Sequence, residues 1–98
     1  MPSMPDKKTV LISPLAEKDI ANIIRGVIDY TSHYSSGESL LNALRTQITM
    51  LGFLPKMGKK GIVENTREIF CRSYRIIYTE TATEVIILKV IHSRRKYP

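Results

Sequence analysis

Thr9, Val10, Leu11 and Ile12 form a short β-branched and aliphatic run that Ser13-Pro14 interrupts. This pattern predicts a strand, then a helix with Ser13 as its N-cap and Pro14 at its first position, where a missing N–H costs nothing. Ile20, Ile23, Ile24, Val27, Ile28 and Tyr34 follow at separations of three, four and seven, one face of a helix, with Asp19, Arg25 and Asp29 off that stripe. Ser35-Ser36-Gly37-Glu38 reads as a break followed by a capping box, in which Ser35 and Glu38 satisfy each other at the start of a second helix. That helix turns Leu40, Leu41, Leu44, Ile48 and Leu51 inward. Two helices joined so briefly form an antiparallel hairpin.

Pro55, Gly58 and Gly61 end the second helix and leave Lys56, Lys59 and Lys60 on a mobile loop. Three β-rich runs follow, Thr66 to Arg72, Tyr74 to Glu80 and Glu84 to His92, with Thr81-Ala82-Thr83 as a turn; they predict an antiparallel meander. The run from Val85 to Ile91 scarcely alternates, as expected of a central strand covered on both faces. Arg75 shares a face with Ile77 and reads as a half-buried structural arginine, while Tyr74 and Tyr78 read as core. The expected architecture is α+β: an N-terminal strand, an antiparallel helical hairpin packed on one sheet face, then a three-stranded meander. A single domain spans residues 1–98, with a frayed lead-in at 1–7 and a basic tail at 93–98.

At 98 residues, 43% hydrophobic and 24% charged, the chain can build one core but no deep enclosed cofactor pocket, so no cofactor is expected. The net charge of +6 is carried entirely by the second half. Residues 1–53 hold five bases and five acids, whereas residues 54–98 hold ten bases against Glu64, Glu68, Glu80 and Glu84. A polyanionic or acidic partner would therefore meet the second half. Cys71 is alone, which excludes an internal disulfide and reads as a small buried strand residue. No apolar leader or membrane-length segment is present, and a cytoplasmic protein without membrane contact is the expectation.

No carboxylate pair, metal-ligand cluster or glycine-rich phosphate loop emerges, so metal catalysis and nucleotide hydrolysis are unsupported. The candidate groups are basic. Arg72 ends a strand, where a planar fork can grip phosphate; an ion pair with Glu64 or Glu68 is the plain alternative. His92 ends the central strand, where a histidine can move protons or simply bond a neighbouring loop. His33 reads as a helix C-terminal cation. Arg94, Arg95 and Lys96 are the densest charge in the chain, against the bland reading of a solvated tail.

The element order, with Thr66-Arg67-Glu68-Ile69-Phe70, Ser73-Tyr74-Arg75-Ile76-Ile77-Tyr78 and Val90-Ile91-His92-Ser93-Arg94-Arg95, resembles the RelE/ParE toxin superfamily over residues 9–98, and more closely the ParE branch, where a comparable His-x-Arg-Arg ending is frequent. The resemblance implies the toxin of a type II toxin–antitoxin module that arrests growth, held in a hetero-oligomer by an acidic, partly disordered antitoxin. ParE-like members bind DNA gyrase, with Arg72, His92, Arg94, Arg95 and Lys96 as the expected contacts here. RelE-like members, the alternative, cut messenger RNA on the ribosome. For that chemistry Lys59, Lys60, Arg72 and Tyr97 match loosely, and His92 could serve as the acid or base. A non-enzymatic RNA-binding module is the second alternative.

Overall fold

The computed structural model describes residues 7–97; the rest of the expected lead-in, residues 1–6, and Pro98 of the basic tail lie outside the described residues. The elements run β1 (Thr9–Ile12), α1 (Pro14–Thr31), α2 (Tyr34–Phe53), β2 (Lys59–Lys60), β3 (Arg67–Cys71), β4 (Tyr74–Glu80) and β5 (Glu84–His92). The strands form one mixed sheet in the order β1-β5-β4-β3-β2, with β1 parallel to β5 and the other pairs antiparallel. The helical hairpin covers one face. Leu40, Leu44, Ile48 and Leu51 of α2 join Ile69, Ile76, Tyr78, Val85, Ile87 and Val90 of the sheet in the core. Ser13 is the N-cap of α1, its Oγ accepting from the Ala16 N–H at 3.1 Å, and Pro14 is the first helical residue.

The hairpin turn is tighter than the sequence pattern implies. Ser32 adopts the left-handed conformation (φ 58°) and closes α1 with its N–H on the Ile28 carbonyl, so Tyr34 leaves the α1 stripe and starts α2. Thr31 Oγ1 donates to the Val27 carbonyl at 2.8 Å and accepts from the His33 N–H at 3.2 Å. These local bonds replace the expected capping box: Ser35 and Glu38 lie inside α2, whose N-cap is His33 without a side-chain bond. His33 is thus an N-cap and not a C-terminal cation. Gly37 is a packing residue. A Cβ there would stand 2.6 Å from Ile28 Cγ1, so the two helices approach at a spacing that only glycine allows.

Lys59 and Lys60 are not on a mobile loop; they pair with Glu68 and Arg67 as an edge strand. A buried tyrosine accounts for this. Tyr78 Oη donates to the Pro55 carbonyl at 2.7 Å and accepts from the Gly58 N–H at 2.9 Å, while the Gly58 carbonyl accepts from Arg67 Nη1 at 2.7 Å. Burial raises the Tyr78 phenol pKa, against the opposing pull of the Gly58 N–H and of Arg67.

The apolar run of β5 has a second cause besides cover on both faces, which buries Ile91 away from the helices. Tyr78 pairs with Ile87 but Ile77 pairs with Lys89, so Leu88 is an extra residue in the ladder. Val85 and Ile87 before this bulge, and Val90 after it, all face the helices; two alternating segments offset by one read as a continuous apolar stretch. β1 stops opposite Ile87, and Asp19 of α1 takes over beside the exposed part of β5, accepting from the Val90 N–H at 3.1 Å and from Lys89 Nζ at 2.9 Å. The residue off the hydrophobic stripe therefore docks the helix.

Glu80 ties the chain before β1 and the α2–β2 connection to β4, accepting from Lys8 Nζ at 2.7 Å and Lys56 Nζ at 2.6 Å. Hydrogen bonds from Lys56 and then Lys8 hold its carboxyl below the ordinary value of 4.5. As the pH falls, the unfolded chain takes up this proton first, so the stabilisation is complete above the ordinary value and is lost as the pH drops through the lowered one. The melting temperature is expected to be level near neutrality and to fall below about pH 4.5. Thermal melts of a Glu80→Gln variant should show a shallower acid limb, and an unchanged limb would remove Glu80 from the account.

Candidate functional site

Two surfaces stand out. The first is at the end of the sheet where β3 turns into β4. Cys71 pairs with Tyr74, so Arg72 and Ser73 form a two-residue turn, and Arg72 is held at φ 53°. Its Nη2 donates to Ser39 Oγ of α2 at 3.0 Å, and it makes no ion pair among the described residues. Of the two expected carboxylate partners, Glu68 pairs instead with Arg75. His92 lies across from Tyr74 in the ladder, their rings edge to face at 5.7 Å. Arg72 and His92 thereby share an open cavity of about 590 Å3 with Ser35, Ser36, Ser39 and Tyr74.

The tail begins at this cavity and is hydrogen-bonded at its root. Ser93 N–H donates to the Ser73 carbonyl at 2.7 Å, Arg94 N–H to His92 Nδ1 at 3.2 Å and Arg95 N–H to the His92 carbonyl at 2.9 Å. The side chains of Arg94, Arg95 and Lys96 are exposed, and Tyr97 is half-buried. Arg72, His92 and the root of the tail therefore lie at one end of the sheet, where His92 both lines the cavity and accepts the tail's N–H groups.

The loop lysines do not join them. Lys59 pairs opposite Glu68, four residues or roughly 13 Å along β3 from Arg72. Its ammonium lies 5.0 Å from the Phe70 ring centroid, a cation–π contact on the face away from the helices. Lys60 points to the opposite face, and Lys56 is committed to Glu80. Cys71 is buried; burial raises its thiol pKa, with Arg72 pulling it down.

The second surface lies on the helical hairpin. A groove of about 550 Å3 runs along the hairpin, floored by Ile12, Ile20, Ile24, Ile28, Leu41 and Ile48 and edged by Glu17, Arg25 and Arg45. Its signal was present in the α1 stripe. Five isoleucine and valine side chains at helical spacing form a wider apolar band than a small sheet can cover, and in α1 only Ala16 is fully buried.

This fold carries a basic sheet end and an apolar groove along its hairpin. Residues 10–97 match the family described as ParE toxin of type II toxin-antitoxin system, parDE, and the chain belongs to that family. It is the toxin of a type II toxin–antitoxin system. No curated protein matches the chain. Among solved structures, the chromosomal ParDE system of P. aeruginosa is similar at a TM-score of 0.81 and 12% identity, covering 89% of this chain and 97% of that one. The toxin–antitoxin complex RelBE2 of Mycobacterium tuberculosis is similar at a TM-score of 0.61 and 19% identity, covering 93% and 97%. These likenesses carry the fold. Among the described residues no helix is long and apolar enough to cross a membrane.

Proposed function

We propose that this toxin arrests growth by binding DNA gyrase in the cytoplasm through its basic sheet end, and that an acidic, partly disordered antitoxin neutralises it by laying an apolar segment in the hairpin groove. The observation that carries the binding reading is the distribution of the basic groups. RNA cleavage through the 2′-hydroxyl needs a base, a phosphate-stabilising cation and an acid within reach of one phosphate. Of the groups that the nuclease alternative requires, Lys59 and Lys60 lie far along β3 from Arg72 and on opposite faces of the sheet, although Arg72 and His92 line one cavity. Arg72 and His92 at the sheet end, with Arg94, Arg95 and Lys96 in the tail rooted there, instead support recognition of an anionic surface by several contacts.

For the antitoxin, the solved neighbour that is itself a toxin–antitoxin complex supports a hetero-oligomer. The groove's apolar floor with Arg25 and Arg45 at its edge favours a segment that alternates apolar anchors with acids. Induced expression alone should halt growth, and co-expression with the product of the neighbouring gene should restore it. Purified toxin should inhibit gyrase without ribosomes and leave messages intact in a translating extract. Codon-positioned cleavage lost on Arg72→Ala or Tyr97→Ala would establish the nuclease alternative, and salt-sensitive RNA affinity with neither activity the RNA-binding one.

A further inference from the structure

Arg75 is the one arginine of the chain whose side chain is withdrawn from solvent, at 9% exposure, on the sheet face away from the helices. Its Nη1 donates to Glu68 Oε1 at 3.2 Å, Glu68 being 3% exposed, and its Nη2 donates to the main-chain carbonyl of Arg95. Its Nε has no partner. As a stabilising device this is a poor choice, because two ions are desolvated and one donor is orphaned where an apolar pair would serve the fold as well. A lysine would hold its three N–H donors on a single nitrogen beside Glu68. What the guanidinium fork supplies is a second donor nitrogen held rigidly apart from the first, and its N–H is spent on the tail.

The tail's other bonds run back to His92 and Ser73, at its root. Among the described residues the Arg75 contact is the only hydrogen bond joining residues 94–97 to another strand. We infer that Arg75, seated on Glu68, is the positioning residue for the C-terminal cations: it clamps the main chain at Arg95 so that Arg94, Arg95 and Lys96 form a fixed array instead of a solvated tail. Preorganisation of this kind spares the cost of ordering the main chain that carries the three cations when the partner binds. The functional half of the inference rests on the proposed anionic target.

The test is 15N relaxation of the Arg94, Arg95, Lys96 and Tyr97 amides, with growth arrest measured beside it, in the parent, in Arg75→Lys and in Glu68→Leu/Arg75→Met. The lysine variant keeps the ion pair and loses the clamp; the double variant replaces the pair by apolar side chains and covers the case in which the lysine variant fails to fold. In each folded variant the tail order parameters should drop from about 0.85 to below about 0.6 while the rest of the sheet is unchanged. Association with the target should slow roughly tenfold. Tail amides as rigid as the parent's would overturn the clamp, and a loosened tail with undiminished growth arrest would overturn its positioning role. A chain ending at Ser93 separates the two readings. If it remains fully toxic, the tail is no target contact and that part of the proposed function fails, whereas the order parameters still decide whether Arg75 holds the tail.

Discussion

Replacing Glu68 alone by leucine is expected to cost about 3–5 kcal/mol, the range for stripping one partner from a buried ion pair. Arg75 would keep its charge in a site with 9% of its side chain exposed and no anion beside it. For a domain of this size the loss corresponds to a fall in melting temperature of roughly 15 °C or more. The contrast with the leucine–methionine double variant is the informative part. Removing both charges should recover most of the loss, because the penalty lies in the unpaired guanidinium and not in missing attraction. Denaturant unfolding of the two variants checks this, and equal destabilisation in both would mean that packing around Glu68, not its charge, holds β3 to β4.

The second large effect is functional. Arg72→Gly should abolish or sharply reduce growth arrest while leaving a protein that melts within a few degrees of the parent. Two energies act on the fold in opposite directions. Glycine relieves a left-handed backbone that costs a side-chain-bearing residue about 1 kcal/mol, and it forfeits an exposed bond to Ser39 worth no more than about that. Backbone and guanidinium can thus be separated at one position, which an alanine cannot do. Retained toxicity with a stable fold would remove Arg72 from the contact surface and shift the account to His92 and the tail.

Much of the fold was legible because its strongest signals are local. Ser13-Pro14 carries its cap chemistry in two adjacent residues, the α2 leucines repeat at helical spacing, and β3 and β4 read directly from their β-branched and aromatic runs. The misreadings arose where a distant partner decided a local choice. Lys59 and Lys60 became a strand because Tyr78, some twenty residues away, pins Gly58. Leu88 was hidden as a bulge because an inserted apolar residue erases the alternation that would reveal it. Ser35 and Glu38 matched a capping box, but Ser32 had already completed the turn.

Of the candidate site, Arg72, His92 and the tail were found as sequence features, and their meeting is set by the register that places Tyr74 opposite His92. The stripe of isoleucines in α1 does not by itself locate the hairpin groove, since it looks the same whether a sheet or a partner covers it. Arg75 read as structural from its neighbours on the strand, and its bond to Arg95 could not be seen at that level, because twenty residues separate them.

The proposed binding of gyrase is tested most directly by negative supercoiling of relaxed plasmid by purified gyrase with the purified toxin titrated in, in the absence of ribosomes. Supercoiling should be lost as toxin approaches the gyrase concentration, should return when the antitoxin is added, and should persist when Arg72→Gly toxin is used instead. Undiminished supercoiling with folded, growth-arresting toxin in excess of gyrase would contradict the account.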